Sequence, residues 1–399
     1  MIFFVIWYIV SNSKDNISAI AAVFIEEITV MKEVTKKYDF TCISTNTTLQ
    51  LLIASVIMIE FSVVLLIVSK QFTQFTDNIY APWSSWIMNT LSRITGIVGF
   101  SIAEIFMYLM ILVFLASLVL LVIFLFRSRG FLHYLFRYLT VIALIASVIF
   151  SLFNILWGCN YYTTGIDETL SLQIKKKDTS ELIELNKYLI SVTNELAGKV
   201  ERDYGGHFEG HGFDEYAKMT ASAFSEYTGK TEVIPKYIIS SGIWSYTKTC
   251  GVFTCITGES NVNSNDTALS IPFTMTHEMA HRNGIAVEDE ANFLAFYTLY
   301  DNEDINIRYS AYAITLIYCM QSLCITDYGS WLELTSTYCS RLIFDYDEYF
   351  THWARYDGII AEIFNQFDRS YLKVQDPDEK IKSYGIFTSL MLAWYEQNN

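Results

Sequence analysis

Proline is scarce, four residues in 399, and glycine is sparse at 18. No stretch is dominated by either, so collagen-like and disordered architectures are excluded. Basic residues are also few: 27 Lys+Arg stand against 42 Asp+Glu, for a net charge of −15. A nucleic-acid partner is therefore not expected, because phosphate binding needs a clustered basic face. Three chemical signatures are missing as well: no G-x-S-x-G, no Walker-type phosphate loop and no G-x-G-x-x-G occurs. Serine hydrolase, NTPase and dinucleotide-binding readings fall away with them.

What is abundant is apolar surface, 52% of the chain and 16% aromatic, with a mean hydropathy of +0.29. It is clustered. Leu51 to Ser69, Ile105 to Phe126 and Leu139 to Trp157 each approach or exceed the roughly 20 apolar residues that cross a bilayer. Three transmembrane helices are expected within residues 49–157, preceded by a cytoplasmic segment, 1–48, and followed by a domain over 158–399. Arg127, Arg129 and Arg137 lie between the second and third spans with no acid beside them. By the positive-inside rule that loop is cytoplasmic, Lys32, Lys36 and Lys37 precede the first span on the same side, and the C-terminal domain is extracytoplasmic. The inverted topology is the alternative. Six cysteines then fall in the exported part and Cys42 alone on the inner side. Cys250 and Cys255 are the pair most readily bridged, with all seven cysteines as buried free thiols the other reading. Met1 to Val10 is apolar but too short to span and lacks a signal's leading bases and cleavage site, so the chain starts either there or at Met31.

In the C-terminal domain, Asp178 to Val200 reads as an amphipathic helix capped at Asp178, Thr179 or Ser180 with Glu181 in its first turn. Gly205 to Gly212 reads as a glycine-broken loop, Lys230 to Ser240 as a strand bent or edged at Pro235, and Thr257 to Thr267 as turn chemistry. From Phe273 onward the pattern is helical.

The informative segment is IPFTMTHEMAHRNGIAVEDEANFLAF, Ile271 to Phe296. His277, Glu278 and His281 make H-E-x-x-H, which on a helix puts two imidazoles on one face, able to share a metal, with a carboxylate beside them. Zinc with three protein ligands and one open position makes a water acidic enough for such a carboxylate to deprotonate as it attacks a carbonyl. With six histidines, the motif is expected by chance roughly 0.005 times in this chain. Gly284 can end the first helix with positive φ, and Glu288, Asp289 and Glu290 then open a second. On that helix Glu288, Ala291, Asn292 and Ala295 share a face, so Glu288 is the expected third ligand, with Asn292 hydrogen-bonding a ligating histidine. In the other reading Glu288 only complements the helix dipole and Glu290 ligates.

HEMAH followed by EDEAN resembles the gluzincin arrangement of HExxH with a downstream ExxxD; Glu288 matches its glutamate and Asn292 replaces its aspartate. More closely, the chain resembles the bacterial membrane family DUF3810 in LSRITGIVGFSIAEI (Leu91 to Ile105), ILWGCNYYTTGI (Ile155 to Ile166), TGESNVN (Thr257 to Asn263), the metal segment, and KIKSYGIFTSLMLAWY (Lys380 to Tyr395). The resemblance implies a membrane-anchored zincin, and no substrate. The gap from His281 to Glu288 is shorter than in most gluzincins, and Val287 stands where a metzincin has its third histidine.

Other residues carry weaker expectations. His207 and His211 sit in the glycine loop; Thr257 to Asn263 is either a substrate-cleft wall or a turn; Tyr384 and His352 are candidates to steady an oxyanion. Glu60 lies mid-span, where a carboxylate is costly. The expectation is thus an α-helical membrane protein plus a mainly helical α+β zincin-like domain, hydrolysing peptide or protein substrates with Zn²⁺ on His277, His281 and Glu288 and Glu278 as base. The competing function is a non-catalytic membrane sensor or assembly protein with a structural or vestigial zinc site.

Overall fold

The computed structural model describes residues 45–127, 131–174, 178–366 and 385–398. The N-terminal extension with Met31, Lys32, Lys36, Lys37 and Cys42, the loop residue Arg129, and Tyr384 lie outside the described residues. The chain is mostly helical. Three helices are long and apolar enough to cross a membrane: α1 (Thr45–Gln71), α3 (Ile102–Arg127) and α4 (Phe131–Leu156), with α2 (Ala81–Thr95) between the first two. They cover the three runs expected from hydropathy except Trp157, which follows α4.

Contacts divide the chain into two units, one formed by residues up to 71 with 116–154, the other by 72–115 with 155–399. In the first unit, small polar side chains join α1 to α4. Ser62 donates to Ser151 Oγ at 2.8 Å and Ser151 donates to the Met58 carbonyl at 3.0 Å. Ser55, Ser62, Ser147 and Ser151 are buried while Ile57, Phe61 and Ile149 face outward. Lipid gives apolar side chains no reason to associate, so close backbone approach and hydroxyl bonds hold such helices instead. Glu60 is half-buried midway along α1.

The second unit is built on helix packing around a three-stranded sheet. Helix α5 (Thr179–Lys199) opens at Asp178, one of the three expected caps: Asp178 accepts from the amides of Ser180 and Glu181, and the Glu181 carboxylate accepts from Asp178 N–H. Its buried face, Leu182, Leu185 and Leu189, packs on α9 (Ile305–Thr326). Between them in sequence come α6 (Phe213–Thr228), the strands, α7 (Ile271–Arg282) and α8 (Glu288–Leu299); α10 (Ser340–Ala354) and α11 (Ile386–Asn398) follow α9. Strands β1 (Lys236–Tyr237), β2 (Gly251–Thr254) and β3 (Glu259–Val262) lie in the order β1-β3-β2. β1 is parallel to β3, Lys236 opposite Asn261, and β2 is antiparallel to it, Gly251 opposite Val262.

Two expectations are corrected here. Thr257 to Thr267 is not turn throughout: Glu259–Val262 is the central, fully buried strand, and the half-buried edge belongs to Gly251–Thr254. Cys250 and Cys255 are not bridged; the six described cysteines are free thiols. With β2 extended between them, their Cα atoms are separated by roughly 16 Å of strand, far beyond the ~7 Å a disulfide tolerates.

Buried charge ties the second candidate span to this sheet. Glu259 on β3 pairs with Lys236 on β1 at 2.5 Å and accepts from the amides of Ile102 (3.2 Å) and Ala103 (2.7 Å), the open first turn of α3. Glu104 accepts in turn from the amides of Ile239 and Ser240. A helix N-terminus exposes unsatisfied amides and positive potential, and a carboxylate answers both.

Candidate metal centre

Helix α7 carries Pro272 in its first turn, where a missing amide costs nothing, and stops at Asn283 because Gly284 takes φ +101°. That reversal brings the Ile285 carbonyl back over the helix, 2.7 Å from His281 Nδ1. The bond places a proton on Nδ1 and turns Nε2 toward the cluster. His281 Nε2 then lies 2.9 Å from His277 Nε2, as i, i+4 spacing requires of two side chains on one face. Helix α8 returns against α7 with Ala291 and Ala295 wholly buried, and its first residue, Glu288, puts Oε2 3.2 Å from His277 Nε2 and 3.4 Å from His281 Nε2.

The three donors fit zinc: bonds of about 2.0–2.1 Å in a tetrahedron keep neighbouring donors roughly 3.3 Å apart, and the observed separations are 2.9, 3.2 and 3.4 Å. Two imidazoles and a carboxylate are also the donor set this metal takes with one position left open. Side-chain exposure is 14% and 8% for the histidines but 46% for Glu288, so the cluster opens to solvent on the α8 side. Glu290 instead faces Gly165.

Electrostatics follow from this crowding. Burial alone would push His281 down, but the Glu288 carboxylate beside it wins and lifts it to about 9. Burial likewise opposes the Glu288 anion, yet hydrogen bonds from both histidines hold its carboxyl well below the usual carboxylate range. Glu278 responds the other way: burial raises its proton affinity, with the two histidines pulling against it. Its Oε2 is buried without a hydrogen-bond partner, while its backbone carbonyl accepts from Ser260 Oγ at 2.9 Å. Strand β2 closes over this carboxylate. At Gly251 a Cβ would stand 2.6 Å from Glu278 Oε1 and 2.7 Å from its Cγ, so a side chain there must displace the carboxylate.

Trp157, directly after α4, was not singled out by sequence reasoning. Its indole N–H donates to the His281 carbonyl at 2.8 Å, and its ring sits edge-on to the His281 imidazole and against Phe253 of β2. The available signal was its place in ILWGCN, an aromatic that ends a hydrophobic run. Asp289 was also missed: its Oδ2 accepts from the amides of Ile386 and Phe387, capping α11. Tyr318 on α9 is a third, with its ring against Phe273 and Phe387 and its hydroxyl pushed toward the protonated form chiefly by burial, with the Glu288 carboxylate adding to it.

Other predicted residues sit elsewhere. Among the described residues Asn292 makes no hydrogen bond to either histidine, and His277 Nδ1 is buried without a partner. His207 bonds Glu348 at 2.5 Å and His211 bonds Asp304 at 2.9 Å, both outside the cluster. His352 packs on Trp353 and Tyr356. Neither a curated protein nor a solved structure gives a significant match to the chain. A family match does exist, to the one described as protein of unknown function (DUF3810); it covers residues 75–392, from before α2 into α11, and the chain belongs to that family.

Proposed function

We propose that the chain is a membrane-anchored, zinc-dependent peptidase with a zincin-like domain outside the cytoplasm. One observation carries the reading: a buried, unpartnered carboxylate oxygen on Glu278 next to three donors spaced for zinc. Zn²⁺ held by His277, His281 and Glu288 would supply Lewis acidity for a peptide carbonyl and for a water. The remaining work falls to the chain. Glu278 Oε2 receives the proton of the attacking water, and its raised proton affinity lets it keep that proton until the leaving amine takes it. Gly251 leaves room for that carboxylate, and the half-buried edge strand β2 offers backbone groups to an extended peptide. Trp157 and the Ile285 carbonyl fix the His281 ring. The extracytoplasmic side rests on Arg127, Arg129 and Arg137 between the second and third spans.

The full chain, solubilised and purified, is expected to hold one zinc per molecule. Glu278→Gln should keep that zinc and lose hydrolysis of a mixed peptide library by about 10²-fold or more. A protein without stoichiometric zinc, or a Gln variant as active as the parent, refutes the reading. The sensor or assembly reading with a structural site requires a fourth protein donor; among the described residues the cluster has three.

A further inference from the structure

Helix α2 is amphipathic in the inverted sense. Its buried face is Ser84, Met88, Ser92 and Thr95, one large apolar residue among small polar ones. Its outward face carries Trp86 (65% exposed), Ile94 (59%) and Trp83 (39%). At 100° per residue, Trp83, Trp86, Ile87 and Ile94 fall within an arc of about 100° that also holds Thr90, whose hydroxyl donates to the Trp86 carbonyl, and Ser85, Asn89 and Arg93 form the adjoining polar flank. The apolar edge continues past both ends of the helix through Phe72, Ile79, Ile97 and Phe100. Water is a poor neighbour for such a stripe, whereas indole rings concentrate where hydrocarbon meets headgroups.

Chain continuity names the occupant. Phe72 follows the last residue of α1 and Phe100 lies two residues before α3, so the segment joins the ends of two candidate spans. The six residues from Gly96 to Ser101 reach at most about 20 Å when extended. Both ends of the stripe are therefore held at the height of the membrane surface. The buried side is braced to the domain: Thr95 donates to the Thr257 carbonyl at 3.2 Å, Lys236 Nζ donates to the Thr95 carbonyl at 2.7 Å, and Gly258 comes so close to α2 that a Cβ there would be 2.8 Å from the Met88 carbonyl.

We propose that α2 lies in the bilayer interface with Trp83, Trp86 and Ile94 in the lipid, as a monotopic foot of the unit it belongs to. The placement goes beyond the peptidase reading and does not depend on it. The full chain reconstituted in dioleoylphosphatidylcholine vesicles tests it, using the same lipid brominated on its acyl chains to quench tryptophan. The wild type is expected to lose about twice as much emission to brominated lipid as the Trp83→Phe/Trp86→Phe variant. Both substitutions are conservative and outward-facing, so folding is preserved. Equal quenching of the two proteins overturns the proposal. Benzophenone-alanine at position 86, photolysed in the same vesicles, should give lipid adducts; adducts to a second copy of the chain or to another protein, without lipid, overturn it too.

Discussion

Replacing Glu259 by Gln tests whether the sheet truly anchors α3. The Glu259 and Lys236 side chains are 1% and 7% exposed, so solvent screens the pair little. The substitution keeps the shape of the side chain and one carbonyl oxygen for the amides of Ile102 and Ala103, but it strands the Lys236 ammonium in the interior. Breaking a buried pair by removing one partner costs about 3–5 kcal/mol, because the remaining charge must be desolvated alone. For a unit of this size that corresponds to a fall in Tm of roughly 6–20 °C. The assay is thermal unfolding of the full chain in mild detergent, followed by circular dichroism and by limited proteolysis of the C-terminal unit. A second variant, Lys236→Met with Glu259→Leu, removes both charges and should recover more than half of the loss. A Gln variant within about 1 kcal/mol of wild type would show that water reaches Lys236, and the buried-anchor argument would be refuted.

Three further outcomes are expected. Gly251→Ala drives a methyl to 2.6 Å from Glu278 Oε1, so the carboxylate must shift by most of an ångström; peptide hydrolysis should fall about 100-fold with zinc content unchanged, as a kinetic and metal assay on the same sample will show. Glu288→Ala should weaken zinc binding, read by competition with a chromophoric chelator, while Glu290→Ala should not, since Glu290 faces Gly165. Burial raises Asp266 from 3.8 to about 6, so the folded state binds its proton more tightly than the unfolded chain. Its carboxyl costs nothing at pH below 3.8, and the cost grows to about 3 kcal/mol as pH rises through 6. Asp266→Asn should flatten the fall in stability between pH 4 and 7 by that amount; an unchanged slope in denaturant titrations at the two pH values would contradict it.

The legible parts of the sequence were those where one residue type does one local job. Hydropathy located the three long apolar helices, Asp178, Thr179 or Ser180 with Glu181 the start of α5, Gly284 the turn after α7, and HEMAH with Glu288 the cluster. Other features depend on partners distant in the chain. Glu259–Val262 has the polar sequence ESNV, and it is a strand because β1 and β2 flank it, not because of propensity. Helix α2 hides serines and shows tryptophans, so a search for a core-facing apolar stripe passes over it. Cys250 and Cys255 looked close by number, but an extended strand holds them apart. Trp157 serves the site through its N–H and ring edge, a use that no spacing encodes.

The three adjacent acids that open α8 have separate destinations: Glu288 joins the histidines, Glu290 turns to Gly165, and Asp289 caps α11, whose Trp394 packs against Phe296 of α8. The cap joins residues 97 positions apart. At synthesis rates of about 5–20 residues per second, Ile386 is made roughly 5–20 s after Asp289. During that interval α8 has neither its C-terminal neighbour nor the cap contact beside Glu288. The timing of synthesis itself therefore orders events: the long apolar helices and HEMAH are made first, and the turn that carries Glu288 is locked down among the last steps of folding.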